Sequence, residues 1–220
     1  MIKNIIFDLD GTLANTSEDI IDSLNFALKR IGFSKKINLK IFKKIANKGS
    51  LHMIQMIVGK KNTNANKINN YFLEHYKKNI CNKTSLKKNV INFLRYCKKK
   101  NIKLFISTNK NQKNATLILK RLKIHKFFNF IAGSDTFKHQ KPNPLHLKYL
   151  KKKFHLKKID TIFIGDTEID SNLAYRFNIK FILVRNGYTN LKSHQIKSDF
   201  VITNYSNISR IIKVISSLSN

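Results

Sequence analysis

From about Thr84 onward the chain alternates short apolar runs with helical stretches, and no other feature of the sequence constrains its fold as tightly. Residues 102–107, 128–132, 161–164, 180–184 and 200–202 read as strands rich in Ile, Phe and Val. Residues 88–100, 112–122, 144–154, 169–177 and 208–218 carry helical periodicity. Strands that are apolar almost throughout, each separated from the next by a helix, fit a parallel sheet covered on both faces, because crossover helices must lie over each side. An earlier run, Ile5-Ile6-Phe7, supplies a first strand. The expected fold class is α/β, a Rossmann-like doubly wound parallel sheet. Residues 15–82 interrupt the alternation with helical periodicity at 17–31, 39–46, 51–58 and 65–79, punctuated by Gly32, Gly49 and Gly59, and with no convincing strand. The expected organisation is an α/β core of residues 1–14 and 83–220 carrying a small α-helical insertion of residues 15–82.

Sheets of this kind bind ligands outside the carboxyl ends of their strands, near the point where the connections reverse direction. Four polar clusters fall at such ends. Asp8-Leu9-Asp10-Gly11-Thr12 follows the first strand, Ser107-Thr108-Asn109-Lys110 the second, Lys141-Pro142 lies in the loop after the third, and Gly165-Asp166-Thr167-Glu168-Ile169-Asp170 follows the fourth. Acids are scarce, 12 Asp and Glu against 43 Lys and Arg, so five of them in the first and last clusters are not there for solubility. In an extended chain Asp8 and Asp10 point to the same side, and Gly11 then permits a sharp turn. A strand end closed by an Asx turn is the plain structural alternative for this pair. Two carboxylates at a strand end repel each other unless a cation or a shared proton sits between them, which implies a metal.

The residue types suit phosphoryl transfer. A carboxylate such as Asp8 can attack phosphorus, and Asp10 on the same side can give and take protons. Asp166 can join Asp8 and the Asp10 main-chain carbonyl around a hard cation, for which all-oxygen ligation suits Mg²⁺. Asp170, about one helical turn beyond Asp166, can hold a metal-bound water or Lys141, while Glu168 fits a helix first-turn carboxylate better than a ligand. Thr108 and Asn109 can bind phosphate at the start of a helix, and Lys141 can neutralise the transferring group. Lys141 stands out among so many lysines because Pro142 and Pro144, the only two prolines, follow it and stiffen the loop.

Bulk properties narrow the remaining classes. The apolar fraction is 42%, and no apolar run approaches the roughly 18 residues needed to span a bilayer, so a cytoplasmic protein without membrane contact is expected. Cys81 and Cys97 form neither a CxxC pair nor a cluster with His, and are expected to stay thiols. The net charge of +31 suggests nucleic acid, but the lysines accompany abundant Asn and Ile, the bias of an AT-rich genome. Lys98-Lys99-Lys100 and Lys151-Lys152-Lys153 fall at helix ends, where cations suit the dipole, so no specific nucleic-acid partner is expected.

The four clusters, in this order and spacing, resemble the haloacid dehalogenase superfamily of phosphohydrolases, and Phe7-Asp8-Leu9-Asp10-Gly11-Thr12-Leu13, Thr108-Asn109-Lys110, Lys141-Pro142-Asn143-Pro144 and Ile164-Gly165-Asp166-Thr167 are most similar to its phosphoglycolate phosphatase branch. The resemblance spans the whole chain. It implies that residues 15–82 form a cap domain, that Asp8 is the nucleophile and Asp10 the acid and base, that Mg²⁺ is held by Asp8, Asp10 and Asp166, and that Thr108, Asn109 and Lys141 hold phosphate. The implied substrate is a small phosphorylated metabolite, 2-phosphoglycolate first, with sugar phosphates, nucleotides or a phosphosugar mutase reaction as alternatives. A basic nucleic-acid or partner-binding module on a phosphatase scaffold is the alternative from another class. Where relatives carry a Gly-rich turn in the cap, this chain reads Ala46-Asn47-Lys48-Gly49-Ser50, and Lys48 is a candidate contact for a substrate carboxylate, or a solvated lysine at a helix end.

Overall fold

In the computed structural model, which describes residues 1–46 and 49–217, strand β1 (Asn4–Phe7) is buried along its whole length at the middle of a six-stranded parallel sheet. The other strands are β4 (Lys103–Ser107), β5 (Phe130–Ala132), β6 (Thr161–Gly165), β7 (Lys180–Val184) and β8 (Phe200–Ile202), in the order β5-β4-β1-β6-β7-β8. β1 pairs with β4 on one side and β6 on the other, Phe7 lying opposite both Ile106 and Ile164. The connections therefore reverse at β1, and this is the switch point at which such sheets bind ligands.

Period-two alternation sorts the strand side chains between two faces. Ile5, Phe7, Leu104, Ile106, Ile162 and Ile164 join one apolar cluster with residues of helices α5 (Val90–Lys99), α6 (Gln112–Arg121) and α9 (Ile208–Ser217). Ile6, Phe105, Phe163 and Phe181 join the other, with α7 (Leu145–Phe154) and α8 (Glu168–Arg176). Phe7 meets Phe93 of α5 edge-on with ring centroids 6.2 Å apart, and Phe105 packs on Phe154 of α7 at 5.0 Å.

Helices α1 (Ser17–Lys29), α2 (Leu39–Ile45), α3 (Ser50–Val58) and α4 (Ala65–Asn79) pack on one another, α1 and α3 against α4. Their apolar stripes, with Leu24, Ile54, Ile68 and Phe72 buried, continue the first sheet cluster rather than forming a separate one. Truncating fully buried Leu24 to Ala would cost roughly 2–5 kcal/mol. The two passages between these helices and the sheet lie side by side. β2 (Ala14–Asn15) pairs antiparallel with β3 (Ser85–Leu86), and the buried Asp19 carboxylate of α1 accepts from the Lys83 and Thr84 amides at 2.9 and 3.0 Å.

The α/β class and the parallel sheet agree with the sequence expectation, and helix bounds agree to within two residues, those of α4 coinciding. Asn89, in the left-handed region at φ 65°, delays α5 to Val90, and Pro144 caps α7 rather than opening it. The β2–β3 pair was not expected, because two-residue strands carry no readable period. Leu218 lies outside the described residues. Among those residues no helix is long and apolar enough to cross a membrane, and Cys81 and Cys97 are both free thiols.

Candidate active site

Asp8 directly follows β1, and its amide donates to Ile164 O at 2.9 Å, extending the β1–β6 ladder by one step. The chain then turns at Gly11, whose φ of 82° suits glycine, and the turn closes with Gly11 N donating to Ala14 O at 2.8 Å. A Cβ at Gly11 would lie 2.3 Å from Asp166 Oδ2, so this glycine also makes room for the carboxylate behind it. Thr108 follows β4, and its amide donates to Ala132 O at 2.9 Å.

Asp166 is held from two sides. Thr12 Oγ1 donates to its Oδ1 at 2.7 Å, and the Tyr188 amide donates to its Oδ2 at 2.7 Å. Asp170 reaches the site by a different route from the one its spacing suggested. α8 begins only at Glu168, so Asp166 and Asp170 are not one helical turn apart. Instead Asp170 closes a capping box with Thr167: its Oδ2 accepts from Thr167 Oγ1 at 2.8 Å and Thr167 N at 3.2 Å, and its Oδ1 is left to face Lys141. One carboxylate thus starts the helix and enters the site. Glu168 is engaged by Thr189 Oγ1 at 2.8 Å.

The Lys141 ammonium sits 2.6 Å from Asp8 Oδ1 and 2.8 Å from Asp170 Oδ1, with only 3% of its side chain exposed. Its peptide bond to Pro142 is cis, and Asn109 Nδ2 donates to Lys141 O at 3.1 Å, holding the main chain. Asp10 is oriented separately. Thr16 Oγ1 donates to Asp10 Oδ1 at 2.6 Å, and Lys110 Nζ lies 3.3 Å from Oδ2. Lys110 in turn donates to Tyr76 OH of α4 at 2.9 Å, while Tyr188 OH accepts from the Thr16 and Ser17 amides at 2.5 and 2.8 Å. Sequence reasoning gave no role to Thr12, Thr16, Tyr76, Lys110 or Tyr188. Thr12 and Lys110 lie inside the motifs and were open to notice, whereas Tyr76 and Tyr188 carry no local signal.

Asp8, Asp10, Thr108, Asn109, Lys141 and Asp170 line one cavity of about 330 Å³ between the carboxyl end of the sheet and the four-helix insertion, which contributes Ile20, Phe42, Leu51, Met53, Phe72 and Tyr76. Asp166 does not line this cavity and borders a second one instead, with Lys43, Leu183 and Gly187. Carboxylate oxygens of Asp8, Asp166 and Asp170, all buried, lie within 4.8 Å of one another, while the Asp10 carboxylate is committed to Thr16 and Lys110. Lys48 lies outside the described residues.

Charge is concentrated here at low solvent exposure. Burial pushes Asp8 well above the usual carboxylate range; Lys141 opposes this, but Asp170, Asp166 and Asp10 add to it. Burial, reinforced by Asp170, raises Asp166 to about 7. Burial alone would lower Lys141, yet Asp170 and Asp8 hold it above its ordinary value, and Asp10 and Tyr76 do the same for Lys110. Three clustered carboxylates, two of them strained toward the neutral form, make an oxygen-donor set that a divalent cation would relieve.

Comparison with known proteins decides the family. The model of the haloacid dehalogenase-like hydrolases matches residues 5–184. The chain belongs to this family. It is 29% identical over 206 residues to the phosphoglycolate phosphatase of Mesorhizobium japonicum, covering 91% of this chain and 90% of that protein. It is 28% identical over 211 residues to the phosphoglycolate phosphatase of Aquifex aeolicus, covering 96% and 97%. Among solved structures, a predicted phosphoglycolate phosphatase from Haemophilus somnus 129PT superposes with a TM-score of 0.89 at 27% identity, covering 96% of this chain and 97% of that one. This haloacid dehalogenase-like hydrolase is thus phosphoglycolate phosphatase-like, a phosphoric monoester hydrolase, and phosphatases of the family generally use a divalent metal.

Proposed function

We propose that the enzyme is a cytoplasmic, Mg²⁺-dependent phosphatase that hydrolyses the small metabolite 2-phosphoglycolate through an aspartyl-phosphate. The observation that carries this reading is the convergence of Asp8, Asp166 and Asp170 with Lys141 at the sheet's switch point. Asp8 would attack phosphorus, forming a carboxylate–phosphorus bond as the ester oxygen leaves. Asp10, turned by Thr16 and Lys110, would give that oxygen its proton and then take one from the water that cleaves the acyl phosphate, returning Asp8 and releasing phosphate. Thr108, Asn109 and Lys141 would hold the phosphoryl oxygens, and Lys141 would offset their charge.

Asp8 and Asp166, with the Asp10 main-chain carbonyl, would hold Mg²⁺, and Asp170 would position Lys141 and the metal's outer ligands. The bound cation would supply charge neutralisation at the phosphoryl group. In this reading residues 15–82 form a cap over a core of 1–14 and 83–220, the apolar side chains of α1–α4 keeping bulk water from the acyl phosphate. The substrate follows the relatives named phosphoglycolate phosphatase.

The test is phosphate release from a panel of phosphomonoesters in Mg²⁺ or in EDTA. Release highest from 2-phosphoglycolate and abolished by chelation is expected. Undiminished release in EDTA would overturn the metal assignment, and faster release from sugar phosphates or nucleotides the substrate assignment.

A further inference from the structure

Lys110 is the second buried cation of the cavity and the mechanism above uses it only to turn Asp10. Its ammonium differs from that of Lys141, which two carboxylates clamp. Lys110 pairs with one carboxylate, Asp10 Oδ2 at 3.3 Å, and with a neutral phenol, Tyr76 OH at 2.9 Å. Its Nζ also lies 4.8 Å from the centroid of the Tyr76 ring, and Tyr76 is itself buried in α4. An ammonium has three N–H donors. Two are used by these partners, and among the described residues the third has no protein acceptor, although only 9% of the side chain is exposed and the residue lines the cavity.

The position of this donor is informative. Asp10 protonates the leaving oxygen in the proposed reaction, so the leaving group lies on the Asp10 side of phosphorus, where Lys110 is. We propose that Lys110, held in place by Tyr76, recognises a carboxylate carried on the carbon next to the ester oxygen, and so selects phosphate esters of 2-hydroxy acids. The proposal rests on the phosphomonoesterase reading and deepens it. Tyr76 acts as a positioning residue. Its hydroxyl fixes where the ammonium points without competing as an anion would, which leaves the remaining charge for substrate. Lys110 belongs to the sheet side and Tyr76 to the helical insertion, so the pair forms only when the two are together as they are here.

The experiment compares kcat/KM for 2-phosphoglycolate with that for 2-hydroxyethyl phosphate, an ester of the same length with a hydroxyl in place of the carboxylate, in wild type, Lys110→Met, Lys110→Arg and Tyr76→Phe. Wild type is expected to favour the acid by about 10- to 100-fold, the range of one charge-assisted hydrogen bond in a buried site. Lys110→Met is expected to lose activity on both esters through Asp10, but to bring their ratio close to one. Lys110→Arg is expected to restore part of the ratio, and Tyr76→Phe, which keeps the ring, to raise KM for the acid more than it lowers kcat.

Equal losses on both esters in Lys110→Met, with the ratio preserved, would overturn the proposal while leaving the phosphatase reading intact. So would a wild type that hydrolyses both esters equally, or a ratio that collapses in Lys48→Met instead. Release from neither ester by wild type would overturn both readings. Should Lys110→Met fail to fold, an unchanged ratio and unchanged KM in Tyr76→Phe and Lys110→Arg together would overturn it.

Discussion

The Lys141 ammonium lies 2.6 Å from Asp8 Oδ1, both groups buried, and it is the cation that keeps Asp8, Asp166 and Asp170 from facing one another unopposed. Lys141→Met leaves those carboxylates uncompensated. In metal-free buffer at pH 8 the variant is expected to lose about 3–5 kcal/mol of stability, the usual result of removing one partner from a buried ion pair. Urea denaturation measures it, and the loss should shrink at pH 5, where Asp8 and Asp166, both raised by burial, take up protons. A loss below about 1 kcal/mol at pH 8 would contradict the role given to Lys141.

Burial, reinforced by Asp170, raises Asp166 from an ordinary 3.8 to about 7, and burial shifts Asp8 in the same direction. The folded state therefore binds these protons more tightly than the unfolded state. The stability this provides is complete below pH 3.8 and is lost as the pH rises through 7, on the order of 4 kcal/mol. In EDTA, Tm is expected to be lower at pH 8 than at pH 6, with millimolar Mg²⁺ restoring it chiefly at pH 8. No effect of Mg²⁺ on Tm at pH 8 would speak against a metal at these carboxylates.

His146 pulls the other way. Its Nδ1 donates to His139 O at 2.9 Å, its Nε2 has no partner among the described residues, and burial lowers it to about 4 from 6.5. The unfolded chain takes up this proton first, so the stability is present above pH 6.5 and falls as the pH drops toward 4, by roughly 3 kcal/mol. His146→Leu is expected to flatten that fall. Parallel stability curves for variant and wild type between pH 7 and 4.5 would refute the assignment.

Gly11→Ala places a Cβ at φ 82° and 2.3 Å from Asp166 Oδ2. The backbone strain alone costs roughly 1–2 kcal/mol. Displacement of Asp166 is expected to weaken Mg²⁺ binding about 10- to 100-fold, the scale seen when a ligand's support is disturbed. Isothermal titration with Mg²⁺ reads this, and an affinity equal to wild type would show that Gly11 serves the turn alone.

The sheet was legible in the sequence because its strands are apolar on both faces and its helices amphipathic, so both periods survive in the residue order. The site residues are legible for a related reason: Asp8, Thr108 and Asp166 directly follow β1, β4 and β6, and the topology of a parallel sheet brings such ends together, while Lys141 comes from the loop beyond β5. Asp170 faces Lys141 through a capping box rather than through the helical turn its spacing suggests. What stayed hidden depends on long-range contact. Tyr188 meets Thr16 and Ser17 across more than 170 residues, and Tyr76 of α4 reaches Lys110 in the loop after β4, neither leaving a periodic or local trace.

Asp8 supplies the oxygen that attacks phosphorus in the proposed reaction. Wild type mixed with 2-phosphoglycolate and Mg²⁺, quenched in acid within one turnover and reduced with borohydride, is analysed by peptide mass spectrometry. Homoserine in place of Asp8 is the expected result, since borohydride cleaves an acyl phosphate at its carbonyl, together with a fall in kcat of at least about 10³-fold in Asp8→Asn. An unmodified Asp8 in the quenched wild type, with Asp8→Asn still turning over at the wild-type rate, would contradict it.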